Sequence, residues 1–279
     1  MNLNVNQESN YNTGIYLRGL TKHYQREGVI VPALNEVTLH IARSSQVAIM
    51  GPSGCGKTTL LHTTAGILTP TAGSIRIEGQ ELAGMKETDL STLRLRRFGF
   101  VFQDGQLLPE LTNAENVALP LMLLGVPKKQ ALQKADTQLA SLGLAGSGKY
   151  LPGQLSGGQA QRVAIARALV TNPQVVFADE PTGSLDQATS AEVMQVLTQA
   201  TAQTGATLVV VTHDKGVASW LQHTIHMCDG KIESVVSRTS MAPSENKSTH
   251  PNTSAATPAT ASTANYATPY ETAEKAEEN

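Results

Sequence analysis

The segment Gly51-Pro52-Ser53-Gly54-Cys55-Gly56-Lys57-Thr58 constrains this chain more than any other. It follows the short apolar run Gln46 to Met50 and leads into a helical pattern from Thr59 to Ala65. G-x-x-x-x-G-K-[ST] between a strand and a helix reads as a loop that cradles phosphates. Glycines at 51, 54 and 56 let the backbone turn its N–H groups inward, and the N-terminus of the following helix adds favourable potential for an anion. On this reading Pro52, Ser53 and Cys55 complete the loop, Lys57 reaches the β- and γ-phosphates, Thr58 ligates Mg²⁺, and Thr59 belongs to the same contact set. The fold implied is α/β, a P-loop core with a mostly parallel sheet flanked by helices.

Two more apolar runs end on residues with chemistry. Val175 to Ala178 is followed by Asp179 and Glu180, and Leu208 to Thr212 is followed by His213. Such runs read as buried parallel strands. Open α/β sheets bind ligands at the carboxyl ends of their strands. Asp179 is therefore expected to hold Mg²⁺, Glu180 to act as general base, and His213 to contact the γ-phosphate. Alone, two adjacent acids read as a solvated turn and a single histidine as a structural residue; the phosphate loop tips both readings. Val37 to Ala42 and Ser74 to Glu78 read as antiparallel strands, and the helical pattern over about 104–168 reads as a subdomain inserted into the sheet's connectivity.

A second anion-binding element is Leu155-Ser156-Gly157-Gly158-Gln159, which precedes a helical run from Gln159 to Val170. A hydroxyl and two glycines at a helix N-terminus suit a phosphate. One nucleotide cannot have its phosphates wrapped by two helix N-termini from distant parts of one subunit. A second subunit resolves the conflict.

Composition narrows the partners. The formal net charge of the 279 residues is −2, which gives no basic field to draw nucleic acid. The two cysteines, Cys55 and Cys228, are too few for a disulfide framework and read as free thiols in a reducing compartment. The N-terminus does not read as a secretory signal. The most apolar segment, Val117 to Val126, is broken by Pro120 and is shorter than the roughly 20 apolar residues a spanning helix needs. Any membrane is therefore spanned by another chain. The organisation expected is an extension over 1–14, a domain over 15–237, and a low-complexity tail over 238–279 that cannot bury enough apolar surface to order itself. In that tail, Tyr266, Tyr270 and the acidic end are candidates for docking.

Taken together, these residues resemble the ATP-binding subunits of ABC transporters over roughly Ile15 to Val236. The family's phosphate loop matches Gly51 to Thr58, its glutamine loop Gln103, its signature Leu155 to Gln159, its Mg²⁺ and base positions Asp179 and Glu180, its D-loop Ser184 to Asp186, and its switch histidine His213. The aromatic that stacks on adenine matches Tyr24. The resemblance implies a head-to-tail dimer, homodimer or pseudo-dimer, with ATP sandwiched between the loop of one subunit and the signature of the other. Asp186 would then lie at the seam, and Gln103, also a Mg²⁺ contact, would report occupancy to an integral membrane permease docked on the helical insert. The location implied is the cytoplasmic face of the cell membrane.

Phe98 to Gln103, Leu107 to Thr112, Glu115 to Val117, Leu119 to Leu121 and Pro181 to Asp186 resemble the lipoprotein-releasing, macrolide-efflux and cell-division branch of the family. That branch implies export, extraction of lipoprotein or peptide, or force transmission across the membrane. The alternative is a soluble ATPase of the same superfamily acting on ribosome or DNA. Such proteins carry two phosphate loops or a long coiled coil between loop and signature, and neither is present. A P-loop kinase or GTPase lacks the Leu155 to Gln159 element.

Overall fold

The computed structural model describes residues 13–26 and 28–238. The expected extension, apart from Thr13 and Gly14, and the tail from 239 onward lie outside the described residues, as do Tyr266, Tyr270 and the acidic end.

The strands are β1 (Ile15–Arg26), β2 (Val29–Ile41), β3 (Gln46–Met50), β4 (Ala72–Ile77), β5 (Gln80–Glu81), β6 (Phe98–Phe102), β7 (Val175–Asp179), β8 (Thr207–Val211), β9 (His223–Cys228) and β10 (Lys231–Ser237). The helices are α1 (Lys57–Thr64), α2 (Glu87–Arg97), α3 (Asn113–Leu123), α4 (Lys128–Ser141), α5 (Gly157–Leu169), α6 (Gln187–Thr204) and α7 (Lys215–Ala218).

One sheet has the order β10-β9-β3-β8-β7-β6. Its pairs from β9 through β6 are parallel, and β10 is an antiparallel edge on β9. The three apolar runs of the sequence are its central strands, buried on both faces, which is why they show no alternation of polar residues. Successive side chains of these strands enter two different cores. Val47, Ile49, Val175, Phe177, Val209 and Val211 pack with α1 and the second sheet. Ala48, Met50, Val176, Ala178, Leu208 and Val210 pack with the helices α3 to α6.

The second sheet is antiparallel, in the order β2-β1-β4-β5. The segments expected as antiparallel strands at 37–42 and 74–78 are here, but each pairs with β1 and not with the other. The alternation of β1 is broken by a register shift between Leu17 and Leu20, so its buried residues fall at Ile15, Leu17 and Leu20 instead of every second position. β2 also begins earlier than expected, at Val29, because its first residues Val29, Ile30 and Val31 are all exposed and show no buried face.

Between β6 and β7 the chain is helical. Thr112 caps α3 in a reciprocal capping box with Glu115. The fully buried Asn116 side chain accepts from the Leu108 amide and donates to the carbonyls of Leu108, Leu111 and Thr112, which fixes the loop before the helix. Helix α5 packs on α3, α4 and α6 and also against β6, so it joins the helical segment to the sheet. Among the described residues, no helix is long and apolar enough to cross a membrane.

Candidate functional site

The glycine-rich loop 51–58 starts where β3 ends. A Cβ at Gly51 would collide with the Met227 carbonyl oxygen of the neighbouring strand β9, and one at Gly56 with the Ala33 carbonyl oxygen, so the loop requires glycine at both places. Gly56 has φ +99° and is the N-cap of α1 with no side-chain cap. The amides of the first turn of α1 are thus uncapped donors facing the loop. Lys57 is buried, and its Nζ donates to the carbonyls of Gly51 at 2.9 Å and Pro52 at 2.8 Å. Pro52, Ser53 and Gly54 are exposed, while the Cys55 side chain turns into the core. Both cysteines are free thiols, and neighbouring Asp229 raises the Cys228 pKa.

The parallel register brings the ends of β3, β7 and β8 level, with Ile49 and Asp179 both opposite Val211. Asp179 consequently reaches α1: its Oδ1 accepts from Thr58 Oγ1 at 3.2 Å, and its Oδ2 lies 3.9 Å from His62 Nε2. Burial raises the Asp179 pKa, against the lowering effects of His62 and Thr58. Glu180 sits in the left-handed region at φ +48°, an uncommon conformation for a non-glycine residue. Its amide donates to Val211 O at 2.9 Å, and its Oε1 lies 2.8 Å from His213 Nδ1. When Glu180 is ionised it only accepts, and Nδ1 of His213 is then the donor in this contact. Gln103 follows β6, whose Phe102 is paired with Asp179; its side chain packs against Gly183, and its carbonyl accepts from Ser184 Oγ at 3.2 Å. Lys57, Thr58, Asp179, Glu180, His213 and Gln103 therefore gather around the carboxyl ends of adjacent strands.

Mg²⁺ can be tested against this donor set. Thr58 and Asp179 present a hydroxyl and a carboxylate within hydrogen-bond distance of each other, and the buried His62 Nε2 has no hydrogen-bond partner among the described residues. Among the described residues, no group of three or more His, Cys, Asp and Glu side chains could hold a metal. A hard cation that takes one carboxylate and one hydroxyl and completes its shell from phosphate and water fits such a site.

The second glycine-rich element is built differently. Ser156 is the N-cap of α5: its Oγ accepts from the Gln159 amide at 3.3 Å, and Gln159 Oε1 accepts from the Ser156 amide at 3.0 Å. Leu155 is partly buried against the helical core, whereas Ser156 and Gly157 are exposed. A Cβ at Gly157 would touch Leu185, and one at Gly158 would collide with Thr189. The Leu155 to Gln159 element therefore abuts the segment 184–189 of its own chain. Asp186 caps α6, accepting from the Ala188 and Thr189 amides at 3.0 Å and from Thr189 Oγ1 at 2.6 Å. The Thr189 hydroxyl above all, then its amide, lowers the Asp186 pKa. Tyr24 is 38% exposed on β1, with its hydroxyl 3.4 Å from Thr59 Oγ1.

Two contacts escaped the sequence. His62 beside Asp179 has a signal in hindsight, since it lies four residues after Thr58 and so on the same helix face. Lys22, whose Nζ stands over the Tyr24 ring, has none beyond period-2 spacing on a strand that was not itself legible.

A parallel sheet whose strand ends converge on a glycine-rich loop, a buried lysine and an Asp-Glu pair defines a P-loop nucleotide-binding core. The model of the ABC transporter family matches residues 34–183, and the chain belongs to that family. The lipoprotein-releasing system ATP-binding protein LolD of Bacteroides fragilis is 44% identical over 78% of this chain and 99% of its own. The ABC transporter ATP-binding protein YtrE of Bacillus subtilis is 43% identical over 73% of this chain and 88% of its own. Among solved structures, the dimeric post-hydrolysis state of the ATP-binding cassette MJ0796 bound to ADP and Pi superposes with a TM-score of 0.74 at 38% identity, covering 80% of this chain and 98% of that one. This chain is an ATP-binding and ATP-hydrolysing subunit of an ABC transporter, of the branch that includes LolD. The soluble alternative has no support among these relatives.

Proposed function

We propose that two copies of this ATP-binding surface close head to tail on two ATP molecules and thereby drive a membrane permease at the cytoplasmic face of the membrane. The observation that carries this reading is the separation of roles within one chain. The groups suited to binding and cleaving a triphosphate collect around the loop 51–58, while Ser156 and Gly157 stand exposed at the head of α5, packed against their own segment 184–189. The MJ0796 cassette, dimeric and bound to ADP and Pi, supports a nucleotide-bound dimer by likeness.

In this reading the loop amides and Lys57 bind the phosphates, Tyr24 stacks on the adenine, and Thr58, Asp179 and Gln103 hold Mg²⁺. When bound, Mg²⁺ neutralises charge on the phosphate oxygens. Glu180 takes the proton of the attacking water, and His213, in contact with Glu180 at 2.8 Å, holds that carboxylate in position and contacts the γ-phosphate. Ser156, Gly157 and Gly158 contact the γ-phosphate bound by the partner subunit, with Asp186 at the seam.

The helical segment 104–168, taken as the inserted subdomain, gives the permease its contact. Of its apolar residues Val117 and Leu121 are core, whereas Leu108 and Leu123 are exposed at 42% and 66%. Next to Gln103, Phe100, Phe102, Pro120 and Arg167 line a cleft of about 380 Å³ between the sheet edge and the helices. A short helix of the permease seated there would sense the state of Gln103 through Phe102, its neighbour in the chain. LolD is named for a lipoprotein-releasing system, which makes extraction of a lipoprotein or peptide, by export or by force transmitted across the membrane, the work proposed for the complex.

Glu180→Gln tests the reading. It should leave ATP affinity intact, slow hydrolysis about 10²- to 10⁴-fold, and accumulate dimers in ATP and Mg²⁺ on size-exclusion chromatography with light scattering. A variant that stays monomeric under those conditions would overturn the sandwich or the role of Glu180.

A further inference from the structure

We infer that Lys22 is a positioning residue for the base: it fixes the ring of Tyr24 from one face so that the other face is a rigid platform for a purine. This rests on the reading of Tyr24 as the stacking aromatic.

Lys22 and Tyr24 lie two residues apart on β1, so their side chains share a face of the strand. The ammonium of Lys22 stands 5.5 Å from the centroid of the Tyr24 ring, within the range of a cation–π contact. That ammonium is itself held, because Nζ donates to the Thr69 carbonyl at 2.7 Å. Thr69 belongs to the turn between α1 and β4, and the same turn is tied to β1 on both sides of Lys22. The Thr71 amide donates to Thr21 O at 2.8 Å, and the His23 amide donates to Thr71 Oγ1 at 2.9 Å. At its far end the ring's hydroxyl meets Thr59 Oγ1 at 3.4 Å, in the first turn of the helix that follows the phosphate loop. The ring is thus held at one face and at its tip, and the tip is tied to the helix that would carry the phosphates.

A half-exposed tyrosine without such contacts would sample several rotamers and lose that freedom each time a base stacked on it. Fixing it beforehand lowers the ordering cost of binding. The attraction between ammonium and ring is a property of the π-face, and so is stacking; neither reads the hydrogen-bonding edge of a base. Lys22 should therefore raise affinity for ATP and GTP alike and leave a ligand with no base unaffected.

The experiment is calorimetric binding of ATP, GTP and inorganic tripolyphosphate to the full chain and to Lys22→Met, Lys22→Arg, Tyr24→Ala and the Lys22→Met/Tyr24→Ala pair. Lys22→Met should weaken ATP and GTP about threefold to tenfold and leave tripolyphosphate unchanged. Lys22→Arg should restore most of the loss, and Lys22→Met should cost nothing further once Tyr24 is alanine. Equal weakening of all three ligands would assign Lys22 to the phosphate field and overturn the inference. So would a Lys22→Met protein that binds ATP normally while Tyr24→Ala does not, and in that case the stacking reading of Tyr24 survives. If Tyr24→Ala itself binds ATP normally, the stacking reading fails and takes the inference with it.

Discussion

Two glycine-rich turns open helices in this chain, at α1 and at α5, and they differ in what satisfies their amides. At α1 the N-cap is Gly56, which has no side chain to accept a hydrogen bond, and a buried lysine stands beside the free N–H groups. At α5 the N-cap is Ser156, whose hydroxyl is already bonded to the Gln159 amide, while Gln159 returns the bond to the Ser156 amide. No lysine or arginine lies within its Leu155 to Gln159 element. The first turn is therefore suited to hold an anion on its own. The second keeps its helix end stable without a ligand and has only residual donor capacity, which suits a contact made to a phosphate already held by another subunit.

The largest effect that separates the two turns is expected from Lys57→Ala. Losing a charge-assisted contact to the phosphates should weaken ATP binding to the isolated subunit about tenfold to a hundredfold in calorimetry. Undiminished affinity would remove the distinction drawn here. Ser156→Ala should leave that same affinity unchanged and instead reduce ATP-dependent dimerisation, scored in the Glu180→Gln background, about tenfold. It should also lower stability by about 1 kcal/mol in urea titration, because the α5 cap is lost. A drop in monomer affinity for ATP would mean that both turns serve one nucleotide within one chain.

The smallest effect concerns Asp179. Its folded pKa is raised, mainly by burial, above the unfolded value of about 3.9. Between the two values this group binds more protons in the native than in the unfolded state, so its own contribution to stability is greatest below the unfolded pKa and is lost as pH rises through the folded one. Asp179→Asn should accordingly raise the unfolding temperature of the nucleotide-free protein at neutral pH and flatten that dependence. It should also reduce the gain in ATP affinity that Mg²⁺ confers. A lower unfolding temperature for the variant would show that the carboxylate is stabilised in the fold by His62 and Thr58 more than it is strained by burial.

The central strands were legible because residues buried on both faces of a parallel sheet leave unbroken apolar runs, as at Gln46 to Met50, Val175 to Ala178 and Leu208 to Val211. The antiparallel sheet was only half legible. β1 carries a bulge that breaks its alternation, and the start of β2 exposes Val29, Ile30 and Val31 together. β6 was visible as a family-like run and not as a strand, and α2, with Leu93 as its single buried residue, gave no apolar stripe to read. In the candidate site, the residue types could be picked out one segment at a time. The contacts between segments, such as Thr58 with Asp179 across 121 positions, could not.

By itself, then, the sequence determined the local chemistry: a loop that only glycine permits, an ammonium beside it, acids at the end of a buried strand, and a serine-capped helix. These depend on neighbours a few residues away, where backbone sterics and hydrogen-bonding rules act directly. Only the tertiary structure decided which of them meet. The parallel register of β3, β8 and β7 levels their ends so that Asp179 reaches Thr58 and His62, and the turn 69–71 holds Lys22 over Tyr24. Such meetings are fixed by packing between segments far apart in the chain, and no periodicity within either segment records them.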